Sequence, residues 1–143
     1  MLHVLSEETI KKHNYYYVRQ VNGKWEKTVI RSSNHQWNSG YLKHAEDGTI
    51  CAYLITGEGY LKAEPMGKHG GGRIEEWISK DKGKSWKQSR DLTPDEKKYP
   101  GWLFSNIQPV VRPDNTHVDG MLIFYGFKDH HKPDAKAFLL IEE

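Results

Sequence analysis

His35 and Tyr41 are the residues of this chain best suited to moving protons. An imidazole can take a proton near neutral pH, and a phenol can give one to a departing oxygen. An elimination beside a carboxylate also needs a cation or an amide to steady the enolate, and Arg73, Asn38, Asn106 and Gln108 carry groups of that kind. Trp37 adds a flat indole on which a sugar ring can stack. The plainer reading of the same residues stays open: His35 as a loop residue, Tyr41 as a core aromatic, Arg73 as a strand-edge charge.

Two further constellations lead less far. Gripping a carboxylate with three guanidiniums would have to draw on Arg19, Arg31, Arg73, Arg90 and Arg112, and nothing in their spacing makes three converge. His117 and the run Asp129-His130-His131 are suitable zinc ligands, but adjacent histidines point apart in a strand or loop, so a solvated turn is expected. The same holds for His69 inside its glycine run. No metal and no cofactor is predicted.

The elements that must position these groups are short strands. The 143 residues make one ordinary domain by length, and a hydrophobic content of 36% allows only a modest core. Five Trp and eight Tyr exceed what such a core needs, and surplus aromatics often face ligands. A net charge of +2 with interspersed signs supports neither a nucleic-acid nor a membrane partner. Lys80, Lys82, Lys84 and Lys87 cluster around one turn, where solvation accounts for them. The lone Cys51 excludes an internal disulfide and reads as a buried, inert thiol. The first residues lack the apolar stretch of a signal peptide, so the compartment stays open.

Turn dipeptides divide the chain. Asn22-Gly23 separates Tyr15 to Gln20 from Lys24 to Ile30, and Asp47-Gly48 separates Gly40 to Glu46 from the apolar run Thr49 to Thr56; each predicts a hairpin. Gly57 to Gly72 is too rich in glycine to pack and predicts a long loop, a candidate lid. Arg73 to Ser79 and Ser85 to Leu92 form a third hairpin, and Thr93-Pro94-Asp95-Glu96 could open one helical turn. Ile107 to Arg112, Gly120 to Phe127 and Ala135 to Ile141 read as three more strands, bringing the count to about nine. With no amphipathic helix of useful length, the class is all-β, as a propeller or a small β-sandwich.

The turn of the third hairpin, Ser79-Lys80-Asp81-Lys82-Gly83-Lys84-Ser85-Trp86, has the pattern Ser-x-Asp-x-Gly-x-x-Trp. Asp81 can accept from turn amides, Gly83 can take a positive φ, and Trp86 can pack its indole under the loop. This octapeptide resembles an Asp-box. With Gly72 to Trp77 before it, Trp86 to Thr93, and Ser105 to Val111 after it, the chain resembles the BNR-repeat family, closest to the members associated with polysaccharide lyases; sialidases belong to the same family. The resemblance implies antiparallel four-stranded blades of a sialidase-type β-propeller, with the box between third and fourth strands. It also implies a ligand over the central channel, near His35, Trp37, Asn38, Tyr41, Asn106 and Gln108, and a parent family often secreted or periplasmic. Where the family often has Arg before the proline, this chain has Gln108, which cannot neutralise a uronate carboxylate as a guanidinium can.

In that register residues 1–14 are an N-terminal extension, 15–39 a partial blade, 40–93 a complete blade and 94–143 a second partial blade. The whole is a single partial-propeller domain of about two to two and a half blades. Propeller closure takes at least about four blades. Open sheet edges then predict a homo-oligomer in which copies complete one another. The expected function is a carbohydrate-binding or assembly module for an acidic poly- or oligosaccharide, with part of a catalytic lyase or glycosidase propeller as the alternative.

Overall fold

The computed structural model describes residues 2–6, 13–33, 35–36, 40–57, 68–69, 71–128 and 134–142. Within them the chain forms twelve strands and no helix: β1 (Leu2–Ser6), β2 (His13–Val21), β3 (Lys24–Ser33), β4 (His35–Gln36), β5 (Tyr41–His44), β6 (Ile50–Thr56), β7 (Lys68–His69), β8 (Arg73–Ser79), β9 (Lys87–Asp91), β10 (Leu103–Val111), β11 (His117–Phe127) and β12 (Lys136–Ile141). The protein is all-β, as the turn signals require.

Three antiparallel meanders carry the fold. The central sheet has four strands in the order β5-β6-β8-β9, and sheets β1-β2-β3 and β10-β11-β12 flank it; a short parallel pair, β4 with β7, stands apart. Two local details differ from the sequence expectation. Leu2–Ser6, read as part of an extension, pairs with β2 and makes the first sheet three-stranded. Within the span expected to be one long loop, Lys68–His69 pairs with His35–Gln36. The β4–β7 pairing is parallel and distant in sequence, and the six residues between Ser6 and His13 hold no turn dipeptide, so neither pairing is announced locally.

The position of β6 explains why its residues 50–55 are all apolar. Ile50, Ala52 and Leu54 pack on Tyr15, Tyr17 and Ile30 of the first sheet. Cys51, Tyr53 and Ile55, pointing the other way, join Phe104, Ile107, Leu122 and Phe124 of the third. The central sheet is therefore covered on both faces, and the three sheets form a stack. Edge strand β9, by contrast, is exposed along its whole length and entirely polar, which suits a free edge. Cys51 is half-buried rather than buried, and burial pushes its thiol pKa up, so it stays a protonated, unreactive thiol.

The turn between β8 and β9 is closed by side chains. Asp81 Oδ1 accepts from the amides of Lys84 (3.0 Å) and Ser85 (2.9 Å), and Ser79 Oγ donates to the same atom at 2.8 Å while accepting from the Gly83 amide at 2.8 Å. Ser85 Oγ donates to Asp81 Oδ2 at 2.6 Å. These hydrogen bonds to the ionised form hold the Asp81 carboxyl far below the usual carboxylate range. Gly83 has φ +82°, and a Cβ there would run into the Tyr17 ring. The Trp86 indole lies 5.5 Å from that same ring, so the turn is locked internally and also against the first sheet.

Candidate functional site: an aromatic cleft where two sheets meet

At the end of the central sheet where Thr56 pairs with Arg73, the central and third sheets touch through their backbones. Gly72 and Phe104 exchange two hydrogen bonds of 2.9 Å each. Glycine is needed for this approach: Gly71 sits at φ +74°, and a Cβ on it would lie 2.6 Å from the Cβ of Leu103. Above this junction opens a cleft of about 480 Å³, lined by Arg73, Asp95, Glu96, Tyr99 and Trp102 among others. That volume is in the range of small-ligand pockets, roughly 300–1,000 Å³.

The wall of the cleft is folded locally. The Asp95 carbonyl accepts from the amides of Lys98 and Tyr99, both at 3.0 Å, and its carboxylate accepts from the Lys97 amide at 2.9 Å. One tight turn results, as the Thr-Pro-Asp-Glu start foreshadows, and it carries Tyr99 back over the cleft. The Trp102 amide then donates to the Tyr99 carbonyl at 3.2 Å, leaving the two rings edge to face with centroids 5.3 Å apart. Phe138 of β12 backs both, 5.1 Å from Tyr99 and 6.3 Å from Trp102, and itself stacks on Phe124 at 5.3 Å. The aromatic wall is thus the upper edge of the core between the second and third sheets.

Arg73 lies on the opposite side, ion-paired with Asp91 across the β8–β9 pair. That hydrogen bond raises its pKa, with the charges of Asp91, Glu96 and Glu75 acting in the same direction against the opposing effect of burial. Asp91 is pushed up by burial but ends below its usual range, because hydrogen bonds from Arg73 and Thr93 outweigh that push. The cleft is therefore lined by a guanidinium held in place by Asp91, together with two aromatic rings.

A second concavity of about 310 Å³ lies between the central and third sheets, lined by Tyr41, Lys43, His117, Asp119 and Glu142 among others. Tyr41 Oη is 3.4 Å from His117 Nδ1, and the rings meet edge-on at 5.9 Å. Burial raises the Tyr41 pKa, Glu142 and Asp119 add to the rise, and Lys43 opposes it, so the phenol is a proton donor at neutral pH. Lys43 binds Glu142 at 2.8 Å and stays cationic.

The residues singled out from sequence are dispersed. Arg73 lines the cleft and Tyr41 the recess. His35 has its backbone in β4, paired with Lys68, and Trp37 and Asn38 lie outside the described residues. Asn106 occupies a bulge in β10 with φ +55° and donates its amide to Tyr125 Oη at 2.7 Å, and Gln108 is exposed opposite Ile123; neither lines the cleft or the recess. His117 faces Tyr41, while 129–131 lie outside the described residues, and no group of three metal-ligating side chains occurs among the described residues. Tyr99, Trp102 and Asp91 were missed. The aromatic–Pro–Gly–aromatic run 99–102 was the available signal, a turn that presents two rings together.

Fold and site together define an all-β protein of stacked antiparallel meanders with an aromatic, ion-paired cleft at one sheet junction. The chain matches no family model, no curated protein and no solved structure.

Proposed function

We propose that this protein is a carbohydrate-binding module built from blades of a BNR-type propeller, holding a sugar in the Arg73–Trp102 cleft. The observation that carries the reading is that the Arg73 guanidinium, ion-paired with Asp91, lines one cleft with Tyr99 and Trp102. Sugar hydroxyls both donate and accept, so a guanidinium beside a carboxylate can serve a vicinal pair while the apolar ring face stacks on an indole. The four-stranded meander with its Ser79–Trp86 turn between third and fourth strands, covered on both faces by neighbouring sheets, supports the propeller part of the reading.

Calorimetric titration with oligosaccharides tests it. Binding by the parent protein, lost by at least tenfold in Trp102→Ala while circular dichroism and the melting temperature show a folded variant, is the expected result. Equal binding by the parent and the variant would move the site elsewhere.

Assembly is part of the same proposal. Trp25 (65% exposed) and Val29 of β3, with Leu139 and Ile141 (60% exposed) of β12, leave apolar surface on the two flanking sheets, which a homo-oligomer would cover. Light scattering that returns only a 16.6 kDa species would remove it.

A catalytic reading rests on a separate observation, the pairing of Tyr41 with His117 beside the Lys43 cation. Here His117 takes the part that sequence reasoning gave to His35. An ultraviolet assay for unsaturated uronate across polysaccharide substrates distinguishes the two: product formation abolished by Tyr41→Phe would favour the enzyme, and its absence favours the binding module.

A further inference from the structure

Because one guanidinium, that of Arg73, lines the cleft, a uronate carboxylate is the obvious ligand to pair with it, yet the surrounding charges argue the other way. Arg73 is already paired with Asp91, and Asp95 and Glu96 line the same cleft. Of the charged side chains, Arg73, Asp95 and Glu96 line the cleft, so the lining carries one cation and two carboxylates; Asp91 and Lys136, whose ammonium lies 5.5 Å from the Trp102 ring centroid, stand beside it. Lys97 and Lys98 follow on the turn but do not line the cleft.

A fourth carboxylate entering here would have to take Arg73 from Asp91 or share it, and would approach Glu96 and Asp95 with like charge. A hydroxymethyl group at the same position meets no such opposition and can donate to those oxygens. Resting on the carbohydrate reading above, we propose that this cleft selects neutral sugars over uronic acids. The aromatic wall supplies the stacking surface, the Arg73–Asp91 pair fixes the hydroxyls, and Asp95 with Glu96 excludes the charged sugar.

The test uses matched probes: oligoglucuronides, oligogalacturonides and oligomannuronides, each beside its carboxyl-reduced counterpart, which has the same linkages and differs only at the sixth carbon. Titrated at low salt, at least one reduced oligosaccharide is expected to bind about tenfold or more tighter than its acidic parent, as repulsion of about 1.4 kcal/mol implies. Raising sodium chloride should strengthen uronide binding by screening repulsion and leave neutral binding flat. In Asp95→Asn/Glu96→Gln the neutral-to-acidic ratio should fall toward one. Uronides binding tighter than their reduced forms, and weakening with salt, would overturn the selectivity while leaving carbohydrate binding intact. Binding by neither series would overturn both readings.

Discussion

Glu142, just beyond the last strand, accepts a hydrogen bond of 2.8 Å from the ammonium of Lys43 on β5, the edge strand of the central sheet. The same carboxylate accepts from the Tyr53 hydroxyl and lies 3.5 Å from an Arg90 nitrogen, while its backbone amide donates to the Gly120 carbonyl at 2.7 Å. One side chain thus clasps the third sheet to three strands of the second. Its side chain is only 14% exposed, so these partners are gathered away from most of the solvent that would weaken them.

Replacing Glu142 by Gln keeps the size and removes the charge. The expected loss is about 1–3 kcal/mol of unfolding free energy, the cost of replacing the carboxylate that accepts from Lys43 and Tyr53 by a neutral amide. Urea denaturation measures it, and a midpoint equal to that of the parent would mean that the clasp contributes nothing.

Acid should loosen the same junction. Burial pushes both Glu142 and Glu76 upward, but hydrogen bonds from Lys43 and Tyr53 in one case, and from Arg90 and Ser89 in the other, leave both carboxyls below their ordinary value of 4.5. A depressed pKa means that the unfolded chain takes up the proton first. The stabilisation is therefore complete above pH 4.5 and disappears as pH falls through the folded-state values. Melting temperatures should be flat from neutrality down to about pH 5 and then decline, less steeply in Glu142→Gln than in the parent.

The Ser79–Trp86 turn makes a different demand. Gly83→Ala puts a methyl at φ +82° and against the Tyr17 ring, combining left-handed strain with a clash, so the expected loss is about 2–4 kcal/mol. Gly101→Ala, also at positive φ but with open space around it, should lose only the strain, about 1–2 kcal/mol. Chemical denaturation of the two variants side by side separates the contributions.

How far the sequence led depends on the range of the interaction. Asn22-Gly23, Asp47-Gly48 and the Ser79–Trp86 octapeptide each close a hairpin through bonds between residues a few positions apart, and those residue types suffice to announce them. The uninterrupted apolar run of β6 likewise announces a strand buried on both faces. Leu2–Ser6 carries no such local mark, since the six residues that separate it from β2 contain no turn dipeptide.

The site was less legible for the same reason. Sequence reasoning found Arg73 and Tyr41 as single residues with suitable chemistry; Asp91 meets Arg73 across the β8–β9 pair and Lys43 follows Tyr41 on β5, whereas packing of the third sheet on the central one brings Tyr99 and Trp102 to the first and His117 to the second. The all-β class, most of the hairpins and the mechanics of one turn were thus legible in the residue types, because backbone hydrogen bonds and positive-φ preferences act between near neighbours. Packing between the central and third sheets settled which rings share the cleft with Arg73 and which ring meets Tyr41. Those contacts arise where separate sheets meet, between residues whose separation along the chain encodes nothing about their separation in space.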